Sequence, residues 1–91
     1  MLTLTENAAN VIKGLVETDE AGLRISTEVG ENDEVGIKLE VAAGAADGDE
    51  VVEEHGAQVF LDPGAALILA GQVLDAKMLG ERVSFAIMQR T

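Results

Sequence analysis

Glu31, Asn32, Asp33 and Glu34 stand in a row behind Gly30, with Glu28 just before them. Carboxylate and amide oxygens are hard donors that suit Ca²⁺, Mg²⁺, Mn²⁺ or iron, so a divalent cation is one occupant this stretch could take. A polar loop is more often simply solvated, and the same side chains also offer an acidic patch to a basic partner. A second acidic group comprises Asp47, Asp49, Glu50, Glu53 and Glu54. It has Val51 where a calcium-binding EF-hand loop wants Asp or Asn, and no glycine in the required place, so a solvated surface face is expected there.

Other chemistries find little support. The chain has no cysteine, which excludes disulfides, thiolate metal sites and a cysteine nucleophile. His55 is the single histidine; it precedes a glycine, as a turn residue does, and every other ligand of a histidine-based metal site would have to be a carboxylate. Ser26 and Ser84 lie on expected strands without the Gly-x-Ser-x-Gly elbow of a hydrolase nucleophile. Carboxylate pairs are easily found among seventeen acids and carry no weight as acid-base machinery. The glycines at 30, 44, 48, 56, 64, 71 and 80 are scattered turn and cap positions, none forming a phosphate-binding loop. Catalysis is not expected, and neither a resident cofactor nor a metal ligand is assigned.

The acidic row sits between two alternating segments. Leu23, Ile25, Thr27 and Val29 share one parity, and Val35, Ile37, Leu39 and Val41 repeat the pattern, predicting two half-buried strands joined by a five-residue loop. Ahead of them, Thr5 is an expected N-cap with Glu6 in the first turn. Ala8, Val11, Ile12, Leu15 and Val16 then follow one helical face, which should end near Glu17 to Asp19. Gly14 weakens that helix, signalling close packing or an early end. After a small-residue loop from Ala42 to Asp49, residues 50–54 form a short edge strand, His55-Gly56 a turn, and residues 57–61 the next strand. Asp62-Pro63-Gly64 starts a second helix running to Ala70 and closed by Gly71. Its apolar residues encircle it, so it should be wedged into the body of the domain. Residues 73–78 and 83–87 complete the set as a final hairpin.

Composition bounds the rest. Ninety-one residues make one small domain whose core, with only Phe60 and Phe85 as aromatics, must be built from Val, Leu, Ile and Ala. Seventeen acidic against six basic residues give a formal charge of -11, which repels nucleic acid and anionic membranes. No secretory leader and no apolar run near the ~20 residues of a bilayer span is read, so a soluble cytoplasmic protein is expected.

Taken in order, LTENAANVIKGLVE, GLRI, a hairpin ending in LEV and HGAQVFLDPGAALILAGQVLD resemble the A-type iron-sulfur cluster assembly family, also called HesB-like. Its Gly-x-x-Val-x-hydrophobic-Asp segment, short helix ending in Leu-x-Gly and following strand Asp match Gly56, Val59, Leu61, Asp62, Leu69, Gly71 and Asp75. The resemblance implies a mostly β (α+β) fold: a HesB-like β-sandwich or flattened barrel of about six antiparallel strands, with an N-terminal helix and one short internal helix, over a single domain of residues 1–91. Family chemistry rests on three cysteines, one in the first hairpin loop and a Cys-x-Cys pair in the tail. Asn32 falls at the first, and with Thr91 directly after the last strand the tail pair is expected to be absent. Met88-Gln89-Arg90 stands in place of the family's Asn-Pro-Asn. Soft thiolates hold iron-sulfur clusters, and an amide with carboxylates does not replace them. The resemblance therefore implies a non-catalytic accessory or scaffold protein that binds proteins, pairing with itself or with iron-sulfur assembly components, with Glu31, Asn32, Asp33 and Glu34 as candidate binding loop. The alternative is divalent metal or iron binding by that same loop.

Overall fold

A computed structural model describes residues 2–89. In chain order the elements are β1 Thr3–Leu4, α1 Glu6–Leu15, β2 Gly22–Val29, β3 Val35–Ala42, β4 Glu50–Glu54, β5 Ala57–Leu61, α2 Pro63–Ile68, β6 Gln72–Leu79 and β7 Arg82–Gln89. The strands form a four-stranded sheet, β3-β2-β5-β4, and a three-stranded sheet, β1-β6-β7, and among the described residues neither closes into a barrel.

The mostly β fold with two helices is as expected, but the sheets are mixed where antiparallel pairing alone is predicted. β1 pairs parallel with β6, Thr3 opposite Val73, and β2 pairs parallel with β5, Leu23 opposite Val59. β1 is the seventh strand, and two residues are too short to show any period. Both parallel pairings join segments far apart in the chain, and local alternation holds no information about which distant segment a strand will meet.

The core lies where α1 packs against β6, β5 and β2. Leu2, Leu4, Ala8, Ala9, Ile12, Leu23, Ile25, Val52, Val59, Leu61 and Leu74 fill it. Each large aliphatic side chain taken fully out of water contributes roughly 1.5–3 kcal/mol. Phe60 lies on the opposite face of its sheet, aligned with Arg24 and Val51 on the neighbouring strands, and is buried there.

Two carboxylates tie helix starts to strands. Thr5 caps α1 as expected, its Oγ1 accepting the Ala8 N–H at 3.0 Å, and the same hydroxyl donates to Asp75 Oδ1 at 2.6 Å on β6. Asp62 caps α2 through Oδ1, which accepts the Ala65 N–H at 2.7 Å, while Oδ2 accepts the Thr27 N–H of β2 at 3.0 Å. The Ala65 and then the Thr27 amide hold the Asp62 carboxyl below its ordinary range, and the Thr5 hydroxyl and then the Ala76 amide do so for Asp75.

Both helices are shorter than predicted. α1 stops at Leu15, with the Val16 N–H still bonded to the Ile12 carbonyl; a side chain at Gly14 would meet nothing within 4 Å, so that glycine marks an early end and no close contact. α2 ends at Ile68, and it is not wedged in: Ala65 and the following Leu69 are buried, whereas Leu67 is 81% exposed and Ile68 half exposed. A six-residue helix lying on one sheet has only one side to bury, whatever its composition.

Two outcomes test this architecture. A Cβ at Gly22 would clash with the Gln58 carbonyl oxygen, a backbone atom of β5 that cannot step aside, so Gly22→Ala should lower stability by about 1–3 kcal/mol in urea unfolding. Asp62→Asn should be less stable than wild type at neutral pH. Because the folded-state pKa of Asp62 is lowered, its contribution is full above the ordinary carboxylate value of about 3.9 and is lost as pH falls through the lowered value. The gap in melting temperature between wild type and variant should thus close on acidification, and a gap that widens would contradict the assignment.

Candidate functional site

The β2–β3 hairpin is anchored at one end only. Leu23 and Ile25 are buried under α1 and β5, the Asp62 N–H bonds to the Ile25 carbonyl at 3.2 Å, and the Asp62 carboxylate fixes Thr27. Past Thr27 no other strand pairs with the hairpin among the described residues. Val29 is 71% exposed and Val35, directly opposite it, 59%.

The expected inward row of β3 is uncovered along its length. Val35, Ile37, Leu39 and Val41 share a face with Val29, Thr27, Ile25 and Leu23, but all four are exposed, because β3 is the edge of its sheet and the core stops at β2. The β6–β7 hairpin also leaves Met78, Leu79, Ile87 and Met88 exposed, but these alternate between its two faces and make no single row. One apolar ribbon, on β3, thus runs out beyond the core. Scattered exposed apolar residues are ordinary, whereas a contiguous row is the mark of an interaction surface.

The tip of the first ribbon is the acidic loop. Glu31–Asp33 form a 3-10 turn closed by the Gly30 N–H on the Glu34 carbonyl at 2.7 Å. Asn32 and Asp33 have φ of 64° and 61°, a left-handed conformation that Asn and Asp tolerate better than other side chains. Glu31, Asn32, Asp33 and Glu34 are all exposed. They stay adjacent as expected, yet among the described residues no three carboxylate or imidazole groups gather as a metal site would require. A cluster cargo does not fit there either, since the donors are an amide and carboxylates with no sulfur.

The second acidic group is largely structural. Asp49 is not part of a solvated face: its side chain is 1% exposed and both oxygens pair with Arg24, from Nε and the terminal nitrogen, each at 3.1 Å. That guanidinium, and next the Ala46 N–H, hold the Asp49 carboxyl below its usual range. Glu54 Oε1 accepts the Leu4 N–H at 3.0 Å, joining β4 to β1, and Glu53 accepts from Gln58. The Asp49 and Glu54 links escaped the sequence because their partners lie 25 and 50 residues apart. His55, with φ of 52°, and Gly56 form the two-residue turn between β4 and β5, as expected. Ser26 is buried and Ser84 partly so, and the one imidazole sits at that turn.

Comparison with known proteins agrees with this fold. No protein-family model matches the chain. An uncharacterized protein of Bradyrhizobium diazoefficiens is 31% identical over 88 residues, covering 93% of this chain and 83% of that one. The crystal structure of Escherichia coli SufA, involved in biosynthesis of iron-sulfur clusters, superposes with a TM-score of 0.81 at 26% identity over 97% of this chain and 79% of SufA. IscA with a 2Fe-2S cluster gives 0.76 at 22% identity, over 98% of this chain and 85% of IscA. A protein from Aquifex aeolicus solved by NMR also gives 0.76, at 23% identity over 98% and 91%. With the order of elements, the Asp62 cap and the Asp75 strand position all in place, the chain has the HesB-like fold of the A-type iron-sulfur cluster assembly proteins SufA and IscA, without a cysteine.

Proposed function

We propose that this protein is a non-catalytic accessory of the HesB-like family that acts by binding protein and does not itself carry a cluster. The observation that carries this is the complete lack of cysteine on a scaffold that superposes with SufA at a TM-score of 0.81. Iron in a sulfide-bridged cluster is held by soft thiolates, and the exposed oxygens of Glu31, Asn32, Asp33 and Glu34 are hard donors. What the scaffold presents in place of a cluster site is recognition surface: an uncovered apolar row on β3, ending in an acidic tip. The tip and the net charge of -11 favour a basic protein face and disfavour nucleic acid. No helix is long and apolar enough to cross a membrane.

On this reading the protein works without catalysis, in keeping with the lowered carboxylates Asp49, Asp62 and Asp75 each being engaged by structural donors.

Anaerobic reconstitution with iron and sulfide, followed by desalting, should return colourless protein without stoichiometric iron or sulfide. Reproducible sulfide-containing brown protein would overturn the proposal. Where a specific partner co-purifies with the wild type, joint replacement of Glu31, Asp33 and Glu34 by Lys should abolish its retention, while melting temperature stays close to wild type because all three side chains are exposed.

A further inference from the structure

We propose that β3 pairs with β3 of a second copy, antiparallel about a two-fold axis that sets Leu39 opposite Leu39 of the other chain, so that two four-stranded sheets become one of eight. The proposal names the partner for the apolar row of β3 alone, leaves the acidic tip to the basic face proposed above, and rests on that reading.

The free edge of β3 is suited to pairing. It is eight residues long, pairs with β2 in unbroken register from Gly22 opposite Ala42 to Val29 opposite Val35, and contains no proline or bulge. Sheet edges are ordinarily protected by charge, brevity or bulges. β4 is guarded by Glu50, Glu53 and Glu54, and β1 has only two residues. β7 is as long as β3, but Val83 and Phe85 on its core side are already half-buried, and its charged residue, Arg82, lies at one end.

Charge selects the register. β3 carries two charges, Lys38 and Glu40, both on the face away from the apolar row, with Nζ and Oε2 3.9 Å apart. In the pairing centred on Leu39, Lys38 faces Glu40 of the second copy and Glu40 faces its Lys38, while Ile37 faces Val41 and Gly36 faces Ala42. Moving the centre by one residue either way sets Lys38 against Lys38 or Glu40 against Glu40, and like charges directly opposed are destabilising. Registers that pair an odd position with an even one would turn the apolar row of one copy to the polar face of the other.

Shape agrees with charge. The pairing brings Val35 of each copy, with Val29 beside it, to Ala43 of the other. There a shallow groove of about 370 Å³ is lined by Leu15, Val41 and Ala43 among others. The two most exposed valines of the hairpin thus gain an apolar seat. A closed two-fold interface consumes the β3 edge of both copies, so that edge is not left to template further pairing.

Sedimentation equilibrium should show a concentration-dependent dimer of the 9.5 kDa chain. Lys38→Glu alone and Glu40→Lys alone should each weaken the dimer by roughly tenfold or more, and the two together should restore it, with far-UV circular dichroism unchanged throughout. The chain has no cysteine, so a single introduced one reports its own surroundings. Oxidised Leu39→Cys should link rapidly into a covalent dimer, and Val51→Cys, on the opposite edge strand, should not. A chain that stays monomeric, a dimer indifferent to both charge reversals, or equal linking at positions 39 and 51 would each overturn the pairing. None of these touches the thiolate argument, which reconstitution decides separately.

Discussion

A core made of aliphatic side chains beneath one ten-residue helix can cover only a limited width of sheet. Here that width is β2, β5 and β6, and the two longest hairpins extend past it. The exposed row on β3 follows from this geometry. It is the continuation of core-facing parity into a region where no second layer lies above it among the described residues. A larger core would have hidden the same residues.

The extended hairpins stay in place because their roots are held by polar links of high specificity. Asp62 bonds at once to the start of α2 and to the Thr27 amide, and Thr5 ties the start of α1 to Asp75 on β6. In each case a group that would otherwise cap a helix alone is shared with a strand, so forming the helix and docking it become one event. Arg24 with Asp49 does the same for the loop before β4, and the near-complete burial of that carboxylate makes its ionic partner obligatory. These carboxylates are therefore committed to architecture. Among the described residues the acids assemble no group of three that could hold an ion.

The hairpin tip of this chain carries oxygen donors and no sulfur. Hard oxygen donors suit electrostatic contact better than soft metal chemistry. The fold stands on aliphatic packing and capped helices, which need no bound cluster to form.

Periodicity and capping residues determined much locally. The alternation at 23–29 and 35–41, Thr5 and Asp62 before their helices, and His55-Gly56 at a turn each name an element that is present, because each signal acts over a few residues. The lack of cysteine determined, with no structure needed, which cargo the chain could not ligate. Tertiary structure alone decided that β1 joins β6 and β2 joins β5 in parallel, that Asp49 is buried against Arg24, and that the apolar face of β3 meets water. An alternating strand shows which side would prefer burial. Whether anything arrives to bury it depends on how far the core reaches, a quantity that belongs to the whole chain and to no segment of it.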